Sequence, residues 1–274
     1  MHAPGNTRAR RLWLPLAGAA LAVAAVCAVA VLRPWGASEP VAPAAVAEGE
    51  AAVAASVPPA PLVLEDDARV LVFGDSWVYG SAANVPTLGF AYLLADELGV
   101  ETVVDGVRGS GYLKPGLDGP AYGERIATLD PALDPDVIIV EGSINDRKLY
   151  PAGYRDAVTA AWDALEARYP DAEIVILGPS PQVLPVQDAT RRIDADLSEL
   201  AGARGWWYIS PIRDDWITDA NYLDVIDTGP IGRDHPSTNG HAYLADRVAT
   251  AIERMEQQPA IVADAPLDDT PPAP

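Results

Sequence analysis

Four short polar segments interrupt a chain otherwise rich in Ala, Val and Leu: Gly74-Asp75-Ser76-Trp77, Gly106-Val107-Arg108-Gly109-Ser110-Gly111, Glu141-Gly142-Ser143-Ile144-Asn145-Asp146 and Asp234-His235-Pro236. A serine becomes a nucleophile when a base lies within hydrogen-bond reach and donors face the oxyanion that develops on an attacked carbonyl. Bases are scarce here. The histidines are His2, His235 and His241. His2 belongs to a basic amino-terminal segment, and His241 falls in the first turn of a helix, where a surface or capping role is expected. His235 precedes that helix, in a loop that can present an imidazole to strand ends. Acyl transfer on a serine is the chemistry these residue types permit. The single cysteine excludes an intramolecular disulfide and a cysteine-based structural zinc site.

The elements that must position these segments alternate strand and helix, the pattern of βαβ units around a parallel sheet. Strands are expected at Arg69 to Phe73, Thr102 to Val104, Asp136 to Val140, Glu173 to Leu177 and Trp206 to Ile209. Helices are expected at Leu88 to Leu98, Gly123 to Leu129, Ala152 to Tyr169, Ala189 to Ala203 and Thr238 to Glu256. The Val-Ile-Ile-Val run of the third strand suits burial on both faces and predicts the central position. Ligands of such sheets bind beyond the carboxyl ends of the strands. Three of the polar segments directly follow a strand and the fourth precedes the last helix, so all four converge on one sheet edge.

In order and spacing, Gly74-Asp75-Ser76, Gly111, Asn145-Asp146 and His235-Pro236 resemble the four blocks of the GDSL-type SGNH hydrolase superfamily, over almost all of residues 69–256. The run from His235 to Ala245 is similar to the family's last block. No Gly-x-Ser-x-Gly elbow is present, which argues against the other common α/β hydrolase design. The resemblance implies a three-layer α/β/α sandwich of flavodoxin-like type with about five parallel strands. It implies Ser76 as nucleophile and His235 as general base. The oxyanion donors would be the Ser76 and Gly111 backbone N–H groups and the Asn145 side-chain amide, and neither cofactor nor metal is called for.

Two positions depart from the family pattern. The family commonly places an aspartate three residues before the histidine to orient the imidazole; here that residue is Gly232. Asp234 is favoured as the triad acid, with Asp227 upstream as a second candidate and a backbone carbonyl, giving a Ser-His dyad, as the third arrangement. Ser143 stands where the family usually has glycine, which narrows the oxyanion loop without removing a donor. Asp75 is expected to fix its turn, Asp146 to orient the loop bearing Asn145, and Trp206, Trp207 and Trp216 to be core or rim aromatics, with sugar contact as their alternative.

The chain of 274 residues divides into a basic segment (1–11), an apolar segment (12–32), an Ala/Pro-rich linker (33–67), the hydrolase domain (68–256) and a tail (257–274). Residues 12–32 are uncharged, with three arginines before and one after. They are read as a single-pass membrane anchor with the domain outside the cytoplasm, or alternatively as a cleaved signal sequence. Net charge is -20, and 15 basic against 30 acidic residues lie between positions 68 and 256. Nucleic acid is therefore a poor partner, and neutral small-molecule or saccharide esters are expected over polyanions. The expected function is an exported esterase, monomeric by resemblance. An acyltransferase acting on envelope saccharides and a non-catalytic envelope-binding domain are the competing readings.

Overall fold

The computed structural model describes residues 59–65 and 67–258. The expected anchor, most of the linker and nearly all of the tail lie outside these residues. Among the described residues no helix is long and apolar enough to cross a membrane.

Five strands, β1 (Arg69–Gly74), β2 (Glu101–Gly106), β3 (Val137–Glu141), β4 (Glu173–Leu177) and β5 (Trp207–Ile209), form one parallel sheet in the order β2-β1-β3-β4-β5. The β3 run is buried throughout and central, as its unbroken apolar sequence predicts. Strand side chains alternate between faces. Val70, Val72, Val137 and Ile139 join one core layer, while Leu71, Phe73, Ile138 and Val140 join the other.

Seven helices complete the described fold: α1 (Ser76–Tyr79), α2 (Phe90–Leu98), α3 (Tyr122–Thr128), α4 (Tyr154–Arg168), α5 (Asp188–Ala203), α6 (Tyr222–Val225) and α7 (Thr238–Glu256). The first core layer takes Phe90, Ala91 and Leu94 of α2 and Leu244, Val248 and Ile252 of α7. The second takes Ile126 of α3, Val158, Trp162 and Leu165 of α4, and Ile193 and Leu197 of α5. Helices thus cover both faces of the sheet, the three-layer α/β/α arrangement. The sequence pattern missed α1, α6 and a two-residue antiparallel ladder, β6 (Ile226–Asp227) with β7 (His235–Pro236). Such short pieces carry no periodicity to read.

The end of the expected linker packs on the domain. Leu62 is buried and donates its N–H to Met255 O at 3.2 Å, Val63 N–H reaches Glu173 Oε1 at 3.0 Å, and Trp207 Nε1 donates to Ala60 O at 3.1 Å. Composition alone reads this stretch as tether because its prolines and alanines hide a single buried leucine.

Candidate active site

β1 lies between β2 and β3, which leave it in opposite directions, so the crevice of this fold opens at the carboxyl ends of β1 and β3. A cleft of about 430 Å³ occupies that edge, lined among others by Ser76, Gly109, Asn145, Gly232 and His235. Ser76 opens α1 directly after β1. Asp75 caps that helix, its Oδ1 accepting the Trp77 N–H at 2.9 Å. The turn is thereby fixed by Asp75, as expected.

His235 is held by the β6–β7 ladder. Its Nε2 lies 2.9 Å from Ser76 Oγ. Its Nδ1 faces two carbonyl oxygens, Gly232 O at 2.9 Å and Arg233 O at 3.1 Å. Both are acceptors only, so Nδ1 carries the ring proton, Nε2 is the free base and the Ser76 hydroxyl donates to it.

The aspartate expected at Nδ1 is not there. Among the described residues neither Asp234 nor Asp227 bonds the ring. Asp234 adopts a φ of 61° and gives its N–H to Asp227 O at 3.0 Å, while Asp227 Oδ1 accepts the Gly229 N–H at 2.8 Å. A Cβ at position 232 would overlap Asp227, so the loop lays main chain rather than a side chain against the imidazole. The residue standing where the family has its acid supplies a carbonyl instead.

Gly111 also differs from expectation. Its N–H is taken by Lys114 O at 2.8 Å, and a Cβ on it would stand 2.5 Å from the Asp146 carboxylate. Glycine is required there for that close approach, not for contact with substrate. Gly109, at a φ of 74°, lines the cleft, and its N–H meets no acceptor among the described residues. The Ser76 N–H, the first of α1, has no intrahelical acceptor either. Two backbone N–H groups without an acceptor among the described residues therefore belong to residues that line the cleft with the serine hydroxyl.

Asn145 lines the same cleft, but its amide donates to Asp75 Oδ2 at 2.7 Å and to Ser110 O at 3.0 Å. Ser143 ties this corner together: its Oγ accepts the Asn145 N–H at 3.0 Å and donates to Ser110 O at 2.8 Å. Asp146 organises the facing loop by accepting the N–H groups of Tyr112, Leu113 and Lys114 at 2.8, 3.1 and 3.1 Å. Burial pushes its carboxyl up to about 6, against the pull of those amides.

Beneath the serine turn lies a second carboxyl that the sequence pattern left without a role. Glu141 ends β3, is buried, and accepts the Asp75 N–H on Oε2 at 3.2 Å. Burial, with the Asp75 charge beside it, holds Glu141 well above the usual carboxylate range; burial likewise raises Asp75. The available signal was a glutamate closing an unbroken apolar strand.

His241 is not at the surface. It is fully buried, its Nδ1 accepting the Phe90 N–H at 3.2 Å and its Nε2 donating to Ser81 O at 3.0 Å. It caps a neighbouring helix rather than its own, and burial pushes it down to about 4. Trp206 packs on Trp162, Trp207 bonds Ala60 and Trp216 is buried; none of the three lines the cleft. Among the described residues no cluster of His, Cys, Asp or Glu is arranged to hold a metal ion.

The family model for the GDSL-like lipase/acylhydrolase family matches residues 72–243. A GDSL lipase of Mycobacterium tuberculosis is 28% identical over 67% of this chain and 80% of its own. Among solved structures, a family two carbohydrate esterase from Clostridium thermocellum in complex with cellohexaose aligns with a TM-score of 0.55 at 17% identity, covering 70% of this chain and 65% of that one. The aryl esterase of M. smegmatis aligns with a TM-score of 0.50 at 18% identity, covering 69% and 99%.

Proposed function

This chain belongs to the GDSL-like lipase/acylhydrolase family and is a carboxylic ester hydrolase, and from that premise we propose that it is an exported, membrane-tethered serine esterase working through a Ser76–His235 dyad. The 2.9 Å contact between Ser76 Oγ and His235 Nε2, with Nδ1 on two carbonyls, carries the reading.

His235 takes the Ser76 proton as Oγ bonds the ester carbonyl carbon. The tetrahedral oxyanion is met by the Ser76 and Gly109 N–H groups, and Asn145 joins them by giving up its bond to Ser110 O. The imidazolium returns the proton to the departing alkoxide as the carbon–oxygen bond breaks, leaving Ser76 acylated. Water deprotonated by His235 then attacks the acyl carbon and releases the acid, restoring the serine. The imidazolium is stabilised by carbonyl dipoles in place of a carboxylate.

Small-molecule acyl esters are the proposed substrates. Saccharide esters are a second class to test, suggested by the likeness of fold to the C. thermocellum carbohydrate esterase. Tethering rests on the uncharged positions 12–32 and their flanking arginines.

Hydrolysis of p-nitrophenyl acetate and octanoate by the full chain in detergent, beside Ser76→Ala, tests the chemistry. Loss of about 10⁴-fold or more in kcat is expected of the variant. Equal turnover by Ser76→Ala, or no turnover with no fluorophosphonate labelling, overturns it. Resistance to alkaline extraction from membranes, with protease access from outside the cell, is expected of the tethered form.

A further inference from the structure

The charge of the catalytic cleft runs against that of the molecule. Acidic residues outnumber basic ones 30 to 15 between positions 68 and 256. Yet among the described residues the side chains lining the cleft include Arg108, Lys114, Arg147 and Arg233 and no aspartate or glutamate. Arg108 is paired with Asp118 at 2.7 Å on the exposed rim. Among the described residues Lys114, Arg147 and Arg233 have no carboxylate partner. Asp75 and Asp146 are buried beneath the site and bound to backbone amides, and Asp227 and Asp234, in the ladder and loop that hold His235, do not line the cleft.

Two of these cations share the cleft with Ser76 and His235. Arg147 follows Asn145 by two residues and is half-buried, its guanidinium fixed by Gln182 Oε1 at 2.9 Å and Gln187 Oε1 at 3.3 Å. Removing a cation from water is costly, and amide oxygens offset that cost without cancelling the charge. The Lys114 ammonium lies 3.7 Å from where a Cβ on Gly109 would stand, beside the proposed oxyanion donor. A guanidinium held by neutral partners and an ammonium with no carboxylate partner among the described residues, lining one cleft with a nucleophile, form a site for anionic oxygens.

We infer that the cleft selects esters carrying a fixed negative charge of carboxylate type, met by Arg147 and Lys114 while Ser76 attacks the ester carbonyl. The inference rests on the esterase reading and names its substrate class. It reverses the expectation of neutral esters drawn from net charge. Exposed charges farther than about 8–10 Å are screened by physiological salt, whereas the cations of the cleft act at contact.

Two pairs matched in carbon skeleton test this with the full chain: p-nitrophenyl hydrogen adipate against p-nitrophenyl methyl adipate for a charge on the acyl side, and 4-acetoxybenzoate against its methyl ester for a charge on the alcohol side. The expected result is about a tenfold or greater kcat/KM preference for the charged member of at least one pair, shrinking as salt is raised. That ratio should fall toward unity in the double variant Arg147→Gln with Lys114→Gln. It should hold in Arg213→Gln, which removes one positive charge from an exposed position outside the cleft. The wild-type ratio and its salt dependence stand without the variants, should the double one fold poorly. Equal or slower turnover of the charged members, or a ratio unmoved in a folded double variant, overturns the selectivity and leaves the esterase standing. Failure to hydrolyse any of the four esters, with no fluorophosphonate labelling, overturns both.

Discussion

His235 takes its orientation from main chain, and substitutions should show it. Asp234→Asn and Asp227→Asn are expected to leave kcat/KM within about threefold of wild type, because neither carboxylate touches the ring; a collapse of order 10⁴, as when a triad acid is neutralised, would overturn the dyad. Asn145→Ala should cost about 10² in kcat, the worth of one oxyanion donor, with a smaller change in KM. Much of this chemistry was legible in the sequence where it is contiguous. Ser76, Asn145 and His235 stand directly beside strand or helix boundaries, so their meeting at one edge follows from the sheet. The choice between Gly109 and Gly111 was not legible, since it depends on how Asp146, more than thirty residues away, pulls three amides of the loop onto its carboxylate. A carbonyl acting in place of an aspartate leaves no mark on residue identity at all.

The strands and long helices were readable because each carries a sustained period. Glu173–Leu177 and Thr238–Glu256 coincide with expectation, and the other long elements differ by a few residues at their ends. The pieces that set the site's geometry, α1 and the β6–β7 ladder, run two to four residues and are fixed by tertiary contacts instead. At this scale the loop after β2 is the sensitive one. Gly111→Ala would drive a methyl group into the Asp146 carboxylate, now 2.5 Å from that position. We expect a loss of about 1–3 kcal/mol in urea unfolding and a fall in kcat, as the Gly109 turn is displaced. A variant with wild-type stability and activity would show that the loop does not depend on this packing.

For the molecule as a whole, acid stability is shaped by buried groups of opposite sign. His241 is held at about 4 in the folded chain against an ordinary 6.5, so the unfolded chain binds that proton first as pH falls. Its contribution is complete above about pH 6.5 and is lost progressively toward pH 4, on the order of 3 kcal/mol in all. Asp146 works the other way: raised to about 6, it binds a proton in the folded state first and favours folding as pH drops through that value. The two offset each other in the wild type. His241→Gln, which keeps an acceptor for Phe90 and a donor for Ser81, isolates one of them. Relative to wild type, this variant should gain stability steadily between pH 7 and 4 in urea titrations, and a constant difference would contradict a neutral buried imidazole.

The packing of residues 60–63 has a practical consequence. Its bonds fall at the starts of β4 and β5 and at the end of α7, on the edge opposite the carboxyl ends where Ser76 sits. The domain's first and last described stretches therefore emerge as neighbours at the pole farthest from the cleft. A resin, a reporter or a second enzyme joined directly at residue 59 or residue 258 would stand behind the catalyst, and ester would still approach from the open side.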